Sequence, residues 1–214
     1  MSRLRITEVF HSLQGESRTI GLPTVFVRLT GCPLRCHYCD TAYAFSGGEY
    51  FSQEQVLQQV RDFNTHHVTI TGGEPLAQKA PCEALMTALC DEGYAVSIET
   101  SGAMDIAGVD PRVSIVLDLK TPDSGEMARN LWDNLQYLKK TDEIKFVICS
   151  RQDYLWAKLK LDELELAKRC DVLFSPSFEQ LSPTQLADWI VADNLPVRFQ
   201  VQLHKILWND EPGR

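Results

Sequence analysis

Cys32, Cys36 and Cys39 form a C-x3-C-x2-C run directly after an apolar alternating stretch, and no fourth cysteine stands nearby. Soft thiolates select iron–sulfur clusters, zinc or Cu(I). A four-iron cubane held by three protein sulfurs keeps one iron open to a further ligand. Zinc would instead complete its tetrahedron with His37, Asp40 or a remote residue. Structural zinc sites usually add a second cysteine or histidine pair, and the sequence shows none. The spacing points to a cluster with one iron reserved for something else.

The elements that must position this loop follow from periodicity. Pro23–Thr30, His67–Thr71, Tyr94–Glu99, Val113–Asp118, Glu143–Cys149, Asp171–Ser175 and Val197–Leu203 are expected as strands. Helices are expected between them: Gln53–Phe63, opened by a Ser52/Gln55 capping box; Pro81–Glu92, closed at Gly93; then Arg129–Lys140, Gln152–Arg169 and Pro183–Asp193. Such β-α alternation predicts an α/β fold with a parallel sheet and crossover helices. A closed eight-stranded barrel typically needs about 250 residues. With 214 residues, the expectation is an incomplete, TIM-like β/α barrel forming a single domain over residues 1–214. Active sites of such folds gather at the C-terminal ends of strands. The cysteine loop, Thr71-Gly72-Gly73-Glu74-Pro75, Thr100-Ser101-Gly102, and Asp118 with Lys120 all fall at predicted strand ends.

Composition sets the outer limits. The chain is 44% hydrophobic and 23% charged with a formal charge of −8, which gives no electrostatic reason to hold nucleic acid and favours a small substrate. The opening Met1-Ser2-Arg3-Leu4-Arg5 lacks the pattern of a secretory signal, and no apolar run is long enough to cross a membrane. Seven cysteines, three of them clustered, fit a reducing compartment, so the expected location is the cytoplasm.

The cysteine run, with aromatic Tyr38 before its last member, resembles the signature of the radical S-adenosylmethionine (SAM) superfamily, and Gly72-Gly73-Glu74-Pro75 resembles that superfamily's second motif. The resemblance implies a 4Fe-4S cluster whose open iron is chelated by SAM, and a glycine turn that lets backbone approach the SAM amino group. Reductive cleavage of SAM would yield a 5′-deoxyadenosyl radical, with the protein positioning and shielding it. Phe10-His11-Ser12-Leu13-Gln14-Gly15-Glu16, Phe26-Val27-Arg28-Leu29-Thr30-Gly31-Cys32, Cys39-Asp40-Thr41 and the Gln200–Lys205 segment are similar to the 7-carboxy-7-deazaguanine synthase family. That resemblance implies a lyase acting on 6-carboxy-5,6,7,8-tetrahydropterin, with ring contraction and ammonia loss, in queuosine and 7-deazapurine biosynthesis. It also implies a flavodoxin- or ferredoxin-type electron donor and a homodimer.

Site roles are assigned on the same footing. Arg28 is a planar cation suited to a substrate carboxylate; a surface ion pair is the alternative, but its place in an apolar alternating strand that runs into the cluster loop favours the pocket. Leu13, Gln14 and Gly15 would contact the pterin edge and Glu16 would accept from its nitrogens. Thr71 and His204 are further substrate candidates. Thr41 resembles the family's magnesium ligand, although it also suits a helix or turn cap. Tyr38, Asp40, Gly73, Glu74, Ser101, Asp118, Leu119, Lys120 and the turn Ser175-Pro176-Ser177-Phe178 are assigned to SAM. Cys82, Cys90, Cys149 and Cys170 lack close spacing and are expected to be structural. Two rival classes remain: a glycyl-radical enzyme activase, and a zinc-binding interaction module without catalysis.

Overall fold

The computed structural model describes residues 3–209 and Gly213; the tail residues Asp210, Glu211, Pro212 and Arg214 lie outside the described residues, as do Met1 and Ser2. Among the described residues nine strands make one sheet: β1 (Arg3–Leu13), β2 (Pro23–Leu29), β3 (Glu49–Ser52), β4 (His67–Gly72), β5 (Ala95–Thr100), β6 (Ser114–Asp118), β7 (Glu143–Ile148), β8 (Asp171–Pro176) and β9 (Arg198–Phe199). Their order is β3-β1-β2-β4-β5-β6-β7-β8-β9. β1 runs antiparallel to β2 and β3, while neighbours from β2 to β9 are parallel. The end strands β3 and β9 do not pair, so the barrel is partial and TIM-like, as expected.

Alternation along each strand gives the sheet two chemically different faces. Val25, Val27 and Leu29 on β2 are fully buried. They share one core with Val56, Leu57 and Val60 of α1 (Gln53–Asp62) and with Leu85, Met86 and Leu89 of α2 (Lys79–Asp91). Tyr154 and Ala157 of α3 (Arg151–Glu163), Leu166 of α4 (Leu166–Arg169), and Leu186 and Ile190 of α5 (Pro183–Ala192) extend that core. On the other face the register sets Arg28 beside Thr71, Thr69 beside Ser97, Glu99 beside Val116, and Asp118 beside Lys145. Barrel interiors are normally filled by branched apolar side chains. A polar interior of this kind is the wall of a binding cavity.

The Ser52/Gln55 capping box opens α1 as expected, and Gly93 takes the left-handed turn (φ 87°) after α2. Three expectations are corrected. Arg129–Lys140 is not an α-helix but two 3-10 turns, Met127–Arg129 and Trp132–Tyr137. Buried Asn130 bonds both N–H and C=O of Lys120 (2.8 and 2.9 Å), and Asn134 bonds Ile106 and Met104 (3.2 and 2.8 Å). Side-chain amides bound to remote backbone in this way compete with helix formation. The predicted Gln152–Arg169 helix is two helices, α3 and α4, separated at Glu165 with φ 52°. Only Arg198–Phe199 of the Val197–Leu203 strand pairs, and the chain then enters α6 (Leu203–Trp208), which the sequence reading did not anticipate.

Candidate active site

A cavity of about 390 Å³ opens at the C-terminal ends of β2 and of β4 to β8. One wall is the loop between β2 and the 3-10 helix Ala42–Phe45, and Cys32, Cys36 and Cys39 all face the cavity from it. The loop is fastened from several sides: Gly31 N–H to Ala44 O (2.8 Å), His37 N–H to Ser124 O (3.1 Å), and Cys39 N–H to Cys36 O (3.2 Å). The Arg35 guanidinium also donates to Cys32 O (2.8 Å). Burial pushes the Cys36 thiol up to about 11 and raises Cys32 as well. A metal held there would take the thiolate forms, so its binding would release protons. Among the described residues no three His, Cys, Asp or Glu side chains converge as they do around a single metal ion.

The Gly72-Gly73 turn presses against this loop. A Cβ on Gly72 would strike Leu29 backbone, and one on Gly73 would strike Gly31 O. Gly73 N–H bonds Leu29 O (3.0 Å) and Glu74 N–H bonds Gly31 O (2.7 Å). The glycines are therefore required by the chain's own backbone packing, a reason distinct from close approach to SAM. Glu74, expected among the SAM contacts, is fully buried outside the cavity. Its carboxylate accepts from Leu76 N–H (2.8 Å), Thr100 Oγ1 (2.9 Å) and Ser101 N–H (2.7 Å), tying the loop after β4 to the turn after β5. Leu119 likewise lies in the core instead of the cavity, because its neighbours Asp118 and Lys120 take the cavity side.

Beside the cysteines, Tyr38 Oη, Asp118 Oδ1 and Ser175 Oγ are buried without a hydrogen-bond partner among the described residues, and all three residues line the cavity. Buried polar atoms are nearly always satisfied, so this end fits a ligand with several polar edges. Lys120 pairs with Asp118 at 2.7 Å and lies 5.8 Å from the Tyr38 ring centre. Burial opposes the Lys120 charge, yet Asp118 and its other neighbours raise its pKa well above the ordinary value.

The opposite end alternates carboxylates with cations. Glu16 is ion-paired with Lys145 and accepts from Gln202 Nε2 (2.9 Å). Burial works against the Glu16 charge, but Lys145 outweighs it and lowers the carboxyl pKa. Glu99 accepts from Thr71 Oγ1 (3.2 Å) and Gln14 Nε2 (3.4 Å); burial and the nearby Glu16 raise its pKa. Asp40 pairs with Lys205 of α6 at 3.0 Å and accepts from Gln202 (3.2 Å). Thr41 faces the cavity, with its hydroxyl 3.8 Å from Cys39 Sγ and making no capping bond to the 3-10 helix it precedes.

The chain is 42% identical over 211 residues to the 7-carboxy-7-deazaguanine synthase of Chlorobaculum tepidum, covering 97% of this chain and 96% of the relative. It belongs to that family. The synthase of Thermoplasma acidophilum is 37% identical over 210 residues, covering 97% and 99%. The Radical SAM superfamily model matches residues 26–124, and that membership brings a 4Fe-4S cluster and SAM as cofactors. The crystal structure of QueE from Escherichia coli superposes with a TM-score of 0.78 at 26% identity, covering 94% of this chain and 95% of that one.

Against this 7-carboxy-7-deazaguanine synthase frame, every residue assigned above to cluster, SAM, magnesium or substrate lines one cavity, except Glu74 and Leu119. The cavity also contains Glu99, Lys145, Gln202 and Lys205, which the sequence reading missed. For Glu99 and Lys145 a signal was present. Each is a charged residue inside a predicted parallel strand, where buried strands normally run apolar throughout.

Proposed function

We propose that the chain converts 6-carboxy-5,6,7,8-tetrahydropterin to 7-carboxy-7-deazaguanine, contracting the ring and releasing one ammonia, in queuosine and 7-deazapurine biosynthesis. What carries this reading is full-length family membership combined with one cavity that receives both the three-cysteine loop and a ring of alternating carboxylates and cations. When bound, the cluster and SAM supply the radical that takes hydrogen from the substrate. Cys32, Cys36 and Cys39 would hold the cluster. Gly73, Ser101, the Asp118–Lys120 pair and the Ser175–Phe178 turn would hold SAM, where the unpartnered Asp118 and Ser175 oxygens give it hydrogen-bond sites.

In the other half, Arg28 takes the substrate carboxylate. Glu16 and Gln14, helped by the backbone of Leu13 and Gly15, bind the amino-pyrimidinone edge, whose N–H groups need acceptors. Thr71 and His204 complete the substrate contacts. At Thr41 the protein offers a magnesium ion one hydroxyl, and no cluster of three or more His, Cys, Asp or Glu side chains stands there among the described residues, so the substrate carboxylate and water would supply its other oxygens. A flavodoxin- or ferredoxin-type donor and a homodimer complete the assembly. The seven cysteines are all free thiols, consistent with a reducing cytoplasm, and no helix among the described residues is long and apolar enough to cross a membrane.

The test is anaerobic turnover of the reduced, cluster-loaded protein with SAM and carboxytetrahydropterin. A product lighter than the substrate by one ammonia is expected, with SAM recovered. Cys36→Ala should lose the cluster absorbance and all product while staying folded. A wild-type reaction that consumes no pterin, or full turnover by Cys36→Ala, would sink the proposal.

A further inference from the structure

We propose that Glu8 and Tyr43 are positioning residues for Arg28, fixing the guanidinium so that its two terminal nitrogens are presented to the substrate carboxylate. The proposal rests on the assignment of Arg28 to that carboxylate and extends it to two residues that do not line the cavity themselves.

The arrangement begins with a break in strand register. Along β1, Ile6 pairs with Leu29 and Glu8 with Arg28, so β1 spends two residues where β2 spends one. A bulge of this kind reverses which face the following side chains take. Ile6 joins Leu29 in the helix-covered core, whereas Glu8 and Phe10 share the interior face with Arg28 and Phe26. Without the extra residue, Glu8 would point into the apolar layer beside Ile6.

Glu8 then meets Arg28 with defined geometry. Arg28 Nε donates to Glu8 Oε1 at 2.7 Å, and the Tyr43 hydroxyl donates to the same oxygen at 2.8 Å. The Arg28 Cζ lies 5.6 Å from the Phe10 ring centre and 5.7 Å from the Tyr43 ring centre. The pair is largely enclosed, with 13% of the Arg28 side chain and 25% of Glu8 exposed. Neither Nη1 nor Nη2 of Arg28 has a hydrogen-bond partner among the described residues. A guanidinium anchored through Nε and flanked by rings offers its terminal fork to a carboxylate with little orientational freedom left to lose. Tyr43 belongs to the 3-10 helix directly after Thr41, so the anchor also ties the exit of the cluster loop to β1.

The test measures binding by calorimetry on unreduced, cluster-loaded, SAM-bound protein, with two probes: 6-carboxytetrahydropterin and tetrahydropterin bearing hydrogen at C6. For Glu8→Gln, affinity for the carboxylated pterin should fall about tenfold, the scale of a lost charge-assisted bond, while affinity for the other pterin stays the same. Arg28→Ala should lose the same discrimination, and adding Glu8→Gln to it should cost nothing more. Tyr43→Phe keeps the ring, should lower carboxylate discrimination about threefold, and carries the test if Glu8→Gln fails to fold. Equal weakening of both probes, or no change for either, would overturn the anchor. Turnover measured in parallel separates the layers: wild-type product with undiminished discrimination in Arg28→Ala overturns the anchor and leaves the reaction standing. Absence of wild-type product and of any preference for the carboxylated probe overturns both.

Discussion

A carboxyl group enclosed beside a second carboxylate holds its proton more tightly than it does in water. Glu99 is in that position: burial first, and then Glu16, raise its pKa above the ordinary 4.5. The folded state therefore binds more protons than the unfolded chain as pH rises from 4.5 through the raised value, and stability falls across that window. Glu99→Gln keeps the shape and an acceptor but removes the ionisation. Its urea midpoint should drop less than that of the wild type as pH rises above 4.5; identical pH dependence would show that Glu99 does not titrate there. At this scale the cysteine loop was legible because its meaning lies in spacing along the chain. Glu99 and Lys145 showed only as charges inside predicted parallel strands, and their roles were not legible, because those depend on which strand face they occupy and what stands beside them. Glu74 misled in the opposite sense. Its motif predicts a cofactor contact, while its carboxylate binds the backbone and hydroxyls of the chain's own loops.

Short apolar runs bounded by turn residues predicted β2 and the strands from β4 to β8, and capping chemistry predicted α1 and α2. What escaped was set by tertiary contacts. Asn130 and Asn134 bind backbone far along the chain, which local periodicity does not register. The segment after Phe199 leaves the sheet because Leu203 N–H bonds Gly15 O (3.0 Å), bringing α6 over the cavity. Gly15 makes that docking possible: a Cβ built there lies 2.6 Å from His204 Nδ1 and 3.3 Å from His204 N. Gly15→Ala must push α6 outward, at about 1–3 kcal/mol for such overpacking. Amide exchange should quicken across residues 203–208 and pterin affinity should fall, with cluster absorbance intact. Unchanged exchange in α6 would mean that the helix does not depend on the close approach at Gly15.

An open barrel has to hold its two ends in register without the ladder that closure would provide. Here the connection between β1 and β2 does so by reaching across to the far strands. Ser17 N–H donates to Gln200 Oε1 (2.9 Å), and Gln200 Nε2 donates back to Ser17 O (3.1 Å). Arg18 N–H donates to Glu143 on β7 (2.9 Å), and its guanidinium pairs with Asp171 on β8 (2.9 Å). Nearest the cavity, Glu16 meets Lys145 of β7 with 11% and 12% of their side chains exposed. The exposed Arg18–Asp171 pair contributes little by itself, whereas the enclosed Glu16–Lys145 pair is costly to break from one side. Lys145→Met leaves a buried carboxylate uncompensated, and removing one partner of such a pair destabilises by about 3–5 kcal/mol. Glu16→Gln in the same background removes the stranded charge and should recover most of that loss, although substrate binding stays impaired. Denaturant unfolding of the two single variants and the double variant gives the coupling directly. If Lys145→Met unfolds at the wild-type midpoint, this pair does not brace the open side, and the Gln200 and Glu143 contacts must hold the barrel's ends together without it.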